Sequence, residues 1–90
     1  ELNWKSVGLL PIKNKSIQVR FFASLRERVG HTRLSIESAG IATARDVWHA
    51  VSASPLDEEM LVAINKAYAS LDKAVSDGDE VAFFPPVTGG

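Results

Sequence analysis

The six residues Pro85-Pro86-Val87-Thr88-Gly89-Gly90 close the chain, and their types and spacing permit one kind of chemistry. Each proline holds φ near about −65° and disfavours helix in the residue before it, so the tail is launched extended and stiff. At ~3.3 Å per residue, six residues reach roughly 20 Å. Gly89 and Gly90 carry no side chain that would block a narrow channel. A carboxylate on such a stalk, that of Gly90, can enter the active site of another protein. Glycines at a chain end also simply fray. A frayed end, however, needs neither the proline pair, nor β-branched Val87, nor a preceding strand without charge after Glu80.

The remaining side chains offer little that competes. Cysteine is absent, which removes disulfides, thiolate ligands and thiol nucleophiles together. His31 falls in a turn and His49 on the polar side of a helix; two histidines so far apart, with no third ligand at metal-binding spacing, predict no metal site. Asp57-Glu58-Glu59 and Asp77, Asp79 and Glu80 sit in polar loop sequence, where solvation and turn formation explain them better than acid–base work. No G-x-x-x-x-G-K-[ST] loop occurs, and the six glycines are scattered or terminal, so no phosphate-binding loop of that kind is expected.

Ten Lys plus Arg against eleven Asp plus Glu give a net charge of −1, which excludes a phosphate-backbone footprint and makes nucleic acid an improbable partner. With no run of about 18 apolar residues and no signal-peptide pattern, the expected location is cytoplasmic and no membrane partner is expected. Ninety residues, 46% hydrophobic and 23% charged, suffice for one hydrophobic core.

The elements that must carry the tail follow from hydrophobic period. Residues 1–16, with Trp4, Leu9-Leu10-Pro11 and a polar run, read as an N-terminal extension, either a remnant or a genuine arm, and residues 17–90 as the domain. Ile17, Val19 and Phe21 alternate with Gln18 and Arg20, predicting a strand with one buried face. Phe22 then falls on the opposite, polar face. Residues 23–29 predict a short helical turn ended by Gly30, and Leu34 and Ile36 a second strand over 33–37. Thr43 with Asp46 three residues on is a capping-box variant, followed by Ala44, Val47, Trp48 and Val51 at helical spacing, predicting an amphipathic helix over 43–53. Residues 60–64 predict a strand, Asn65-Lys66 a turn, 68–71 a short strand, Asp77-Gly78-Asp79 a turn, and 80–84 the last strand. This order predicts a two-layer α+β domain, a mixed sheet with one main helix on one face. A β-grasp, ubiquitin-like arrangement fits it; a ferredoxin-like or other small α+β fold also remains open. In a β-grasp the first and last strands are neighbours, so Phe84 and Phe22 are expected to form one exposed apolar patch and a partner interface.

The run from Asp77 to Gly90, DGDEVAFFPPVTGG, resembles the C-terminal signature of the small subunits of molybdopterin synthase, the MoaD family. The stretch Val19-Arg20-Phe21-Phe22-Ala23, with Arg26-Glu27 and Val29-Gly30, resembles that family's opening, and Val62-Ala63-Ile64-Asn65 extends the match over roughly residues 17–90. The resemblance implies a β-grasp sulfur carrier that is not catalytic alone. In that cycle an ATP-using adenylyltransferase, similar to ubiquitin-activating enzymes, adenylates Gly90, and sulfur from a donor replaces AMP. The resulting thiocarboxylate is delivered to cyclic pyranopterin monophosphate in the large synthase subunit, in a heterotetramer, to build the dithiolene of molybdopterin. No tightly bound cofactor is implied for the small subunit itself. Sulfur carriers for thiamine or thionucleoside synthesis, and ubiquitin-like protein modifiers, are the alternative readings.

Overall fold

The computed structural model describes residues 15–86. Residues 1–14 of the extension expected over 1–16, and the tail residues Val87, Thr88, Gly89 and Gly90, lie outside the described residues, while Ser16 already belongs to the first strand. Five strands and two helices follow in the order β1 (Ser16–Phe21), α1 (Ser24–Val29), β2 (Arg33–Glu37), α2 (Ala44–Val51), β3 (Leu61–Ile64), β4 (Ala67–Ala69) and β5 (Glu80–Phe84).

The strands form one mixed sheet in the order β2-β1-β5-β3-β4. Pairing is antiparallel except at the centre, where β1 and β5 run parallel with Val19 opposite Val81 and Phe21 opposite Phe83. First and last strands side by side, one principal helix across the sheet and, among the described residues, no second crossover helix make this the β-grasp arrangement; the ferredoxin-like alternative is thereby removed.

Alternation along the two central strands builds the core. Ile17, Val19 and Phe21 from β1 and Val81 and Phe83 from β5 are buried against Ala44, Val47 and Trp48 of α2, with Leu25, Met60, Val62, Leu71 and Val75 closing the margins. The Trp48 ring meets Phe83 at 5.3 Å and Phe21 at 6.4 Å between centroids, both edge-to-face, the geometry that aromatic quadrupoles favour. Its indole N–H donates to the Ser54 carbonyl at 3.1 Å, so the buried ring leaves no polar atom unpaired.

The α2 N-terminus carries the full capping box expected from Thr43 and Asp46. The Thr43 hydroxyl accepts from the Asp46 N–H, and the Asp46 carboxylate accepts from the Thr43 N–H at 3.2 Å and the Ala42 N–H at 3.0 Å. The helix stops at Val51, two residues short of the expected end, because Ser52 is extended and its hydroxyl accepts the Ser54 N–H. Arg45 projects from the first turn to pair with Glu58 and with Asp72, the latter at 2.9 Å. The guanidinium holds the Asp72 carboxyl below the usual carboxylate range, chiefly by hydrogen bonding.

The short strand also differs from expectation: it covers Ala67–Ala69 rather than 68–71, because Asn65 and Lys66, at φ 52° and 72°, form a tight two-residue hairpin that starts β4 at once.

Thr43→Ala removes one half of the capping box and is expected to lower stability by about 1 kcal/mol with an unchanged denaturant slope, measured by urea unfolding. The Asp72 carboxyl, depressed in the folded state, contributes stability above its unfolded pKa of about 3.9 that is lost as pH falls through the folded value. Asp72→Asn is therefore expected to narrow the stability gap between pH 6 and acid pH in melting curves, with little effect on the fold itself.

Candidate functional site

Because side chains alternate, the register that buries Phe21 and Phe83 sends Phe22 and Phe84 to the opposite, open face of the sheet. There the two rings stack at 4.6 Å between centroids and 7° between planes. The Phe22 N–H donates to the Phe83 carbonyl at 3.1 Å, which holds the residue beside β5 after β1 has formally ended. Ala23, at φ 55°, then turns the chain away into α1. Phe22 is thus both the last residue before the turn and a half-buried member of the patch.

The tail begins at this patch. Pro85 and Pro86 follow Phe84 directly, half-buried and outside any strand. They extend from a central strand flanked by β1 and β3, so the exit point is braced on both sides. The reactive position expected at Gly90, together with Val87, Thr88 and Gly89, is not among the described residues. Four further residues span about 13 Å if extended.

Two features of the open face were not anticipated from residue pattern. Tyr68 joins the aromatic cluster, its ring 6.1 Å from that of Phe84 and the residue 74% exposed. The only sequence signal was the Asn65-Lys66 turn: pairing across it sets Tyr68 opposite Ala63, and Ala63 opposite Ala82, on one face. The two alanines form a low floor between taller walls. The result is a pocket of about 280 Å³ lined by Phe22, Phe84 and Tyr68, with Arg20, Lys66 and Glu80 at its rim.

The rim is anchored through Glu80. Its carboxylate lies 3.4 Å from Lys66 Nζ and 3.7 Å from the Arg20 guanidinium, which itself lies 5.1 Å from the Phe22 ring centre. Asn65 ties the β3–β4 turn to the start of β5: its N–H donates to the Glu80 carbonyl, its side-chain oxygen accepts the Glu80 N–H, and its amide donates to Asp79. His49 and the Asp57-Glu58-Glu59 run are exposed, and Trp48 is wholly core. Among the described residues no three His, Asp or Glu side chains converge, and no helix is long and apolar enough to cross a membrane.

The stacked Phe22 and Phe84 rings thus stand where the Pro85-Pro86 segment leaves β5. Comparison with known proteins gives the family. The ThiS family model matches residues 19–90. The molybdopterin synthase sulfur carrier subunit of Escherichia coli (strain K12) is 42% identical over 83 residues, covering 82% of this chain and 99% of the relative. The subunit of the same name from Haemophilus influenzae is 42% identical over 81 residues, with the same coverage. Among solved structures, the small archaeal modifier protein 1 of H. volcanii superimposes with a TM-score of 0.66 at 28% identity, covering 80% of this chain and 98% of that one. The chain therefore belongs to the ThiS family and is a homologue of the sulfur carrier subunits of molybdopterin synthase.

Proposed function

We propose that this chain is the sulfur carrier subunit of a molybdopterin synthase in molybdenum cofactor biosynthesis, with Gly90 as the group that bears sulfur. The observation that carries this reading is the Phe22–Phe84 stack at the exit of the Pro85-Pro86 tail, in a chain that matches sulfur carrier subunits over 99% of their length.

The chemistry suits a chain without cysteine. A carboxylate is a poor electrophile until it carries a good leaving group. ATP converts the Gly90 carboxylate to an acyl-adenylate with release of pyrophosphate, and a sulfur donor then displaces AMP to leave a thiocarboxylate. That group is ionised and nucleophilic at neutral pH. It attacks cyclic pyranopterin monophosphate, and water returns Gly90 to a carboxylate once its sulfur is handed over. ATP is bound by the adenylyltransferase and the catalytic side chains belong to the large subunit; the carrier supplies the extended tail and the face that docks. The working assembly is a cytoplasmic heterotetramer of two carriers and two large subunits.

The likeness to an archaeal modifier protein favours a second reading, in which Gly90 is conjugated to lysines. Mass spectrometry of the native chain separates the two. An oxygen-to-sulfur exchange at Gly90 is expected; an isopeptide-linked Gly90 without thiocarboxylate would establish the modifier instead.

Deleting Gly90, or adding one residue after it, is expected to leave circular dichroism and melting temperature unchanged and to abolish sulfur transfer to the large subunit. Unchanged molybdopterin yield from either variant would end the sulfur-carrier reading. Phe84→Ala is expected to weaken binding to the large subunit by about 2 kcal/mol or more, while lowering stability by only about 1 kcal/mol through loss of the Phe22 stack. Calorimetric titration beside urea unfolding measures both.

A further inference from the structure

The open face carries an arrangement of charge that the fold does not need. Arg20 on β1 lies directly opposite Arg33 on β2. Phe21 donates its N–H to the Thr32 carbonyl at 3.0 Å, so the neighbouring Arg20–Arg33 pair falls in a non-hydrogen-bonded position of the ladder, where facing side chains come closest. Like charges directly opposite destabilise a sheet.

One shared carboxylate is all that offsets them. Glu80 divides its two oxygens between Lys66 and Arg20, and at 3.7 Å it makes no hydrogen bond to the latter. Arg33 is exposed and forms no ion pair among the described residues. The Arg20 Nε is shielded from solvent and has no hydrogen-bond partner. Three cations thus stand with one carboxylate beside the aromatic pocket, on a chain whose net charge is −1. Guanidinium groups suit paired, bidentate contact with carboxylates. Burial of this face under a partner would strip water from Arg20 and leave it only the Glu80 carboxylate that it shares with Lys66, unless the partner brings an anion.

We propose that Arg20, with Arg33 beside it, binds a carboxylate on the docking surface of the large subunit, which makes Arg20 a specificity-determining residue of that interface. This rests on the sulfur-carrier function proposed above. The aromatic rings supply the apolar contact and hold the complex together. The arginine pair selects an acidic surface and steers its approach, since charge at an interface acts mainly on association rate and partner choice.

The test is surface plasmon resonance of the full chain against the molybdopterin synthase large subunit of the same organism, from low to high salt. Arg20→Leu is expected to slow association about tenfold at low salt and to flatten its salt dependence, with dissociation much less affected. Arg33→Ser, at an exposed edge position that folding tolerates, is expected to slow association severalfold and decides the matter should Arg20→Leu fail to fold. Glu80→Gln, which removes the competing anion, is expected to speed association, a change of sign that a merely structural role would not produce. Association rates and salt slopes equal to wild type in both arginine variants would overturn the inference while leaving the sulfur-carrier function standing. Absence of binding by the wild-type chain would overturn both.

Discussion

The parallel pairing of β1 with β5 is the constraint on which the rest of the structure depends. β5 ends in Phe83-Phe84, and β1 ends at Phe21 with Phe22 directly after it and still bonded to β5, and alternation obliges each such pair to divide between the two faces of the sheet. The register that sets Phe21 opposite Phe83 gives Trp48 two ring faces to pack on, and by the same act sets Phe22 against Phe84 on the other side. A slip of one residue would turn all of these rings to the wrong face. Core and open aromatic face are therefore one choice, and the helix that selects the register by burying Trp48 also builds the surface it never touches.

The second layer of dependence runs through polar groups. Asn65 and Lys66 adopt left-handed conformations that close a two-residue hairpin, and the Asn65 side chain bonds to Asp79 and the Glu80 backbone across the sheet. Gly78, at φ +86°, permits the turn that presents Asp79 and Glu80 to it. Without that brace β4 would be a short edge strand held by little else, and Tyr68 would have no fixed place beside Phe84. The aromatic face at one end of β5 is thus positioned by hydrogen bonds at the other.

This division of labour explains why so little of the domain is chemically active. Among the described residues no polar or charged residue is buried, and the carboxylates of Asp46, Glu58, Asp72, Asp79 and Glu80 are taken up in a helix cap, ion pairs and turn hydrogen bonds. In the proposed carrier role the described domain would serve as a handle, with its central strand leading into the tail and the aromatic rings beside that exit.

Much of this was written in local pattern. Period-2 alternation in residues 17–21 and 80–84, helical spacing of Ala44, Val47, Trp48 and Val51, the Thr43–Asp46 box and the glycine turns determined the elements to within a residue or two, since each rests on contacts between near neighbours. The terminal Pro-Pro-Val-Thr-Gly-Gly run, unlike anything needed for folding, marked the tail. Strand order was different: whether β1 lies beside β5 is decided by long-range burial, and residue period alone left a ferredoxin-like or other small α+β sheet open beside the β-grasp. The Ala82–Ala63 floor, Tyr68 as a third ring and the opposed Arg20 and Arg33 belong to the same class. They join residues from five strands, and only cross-strand register, a property of the assembled sheet and of no single segment, brings them to one face.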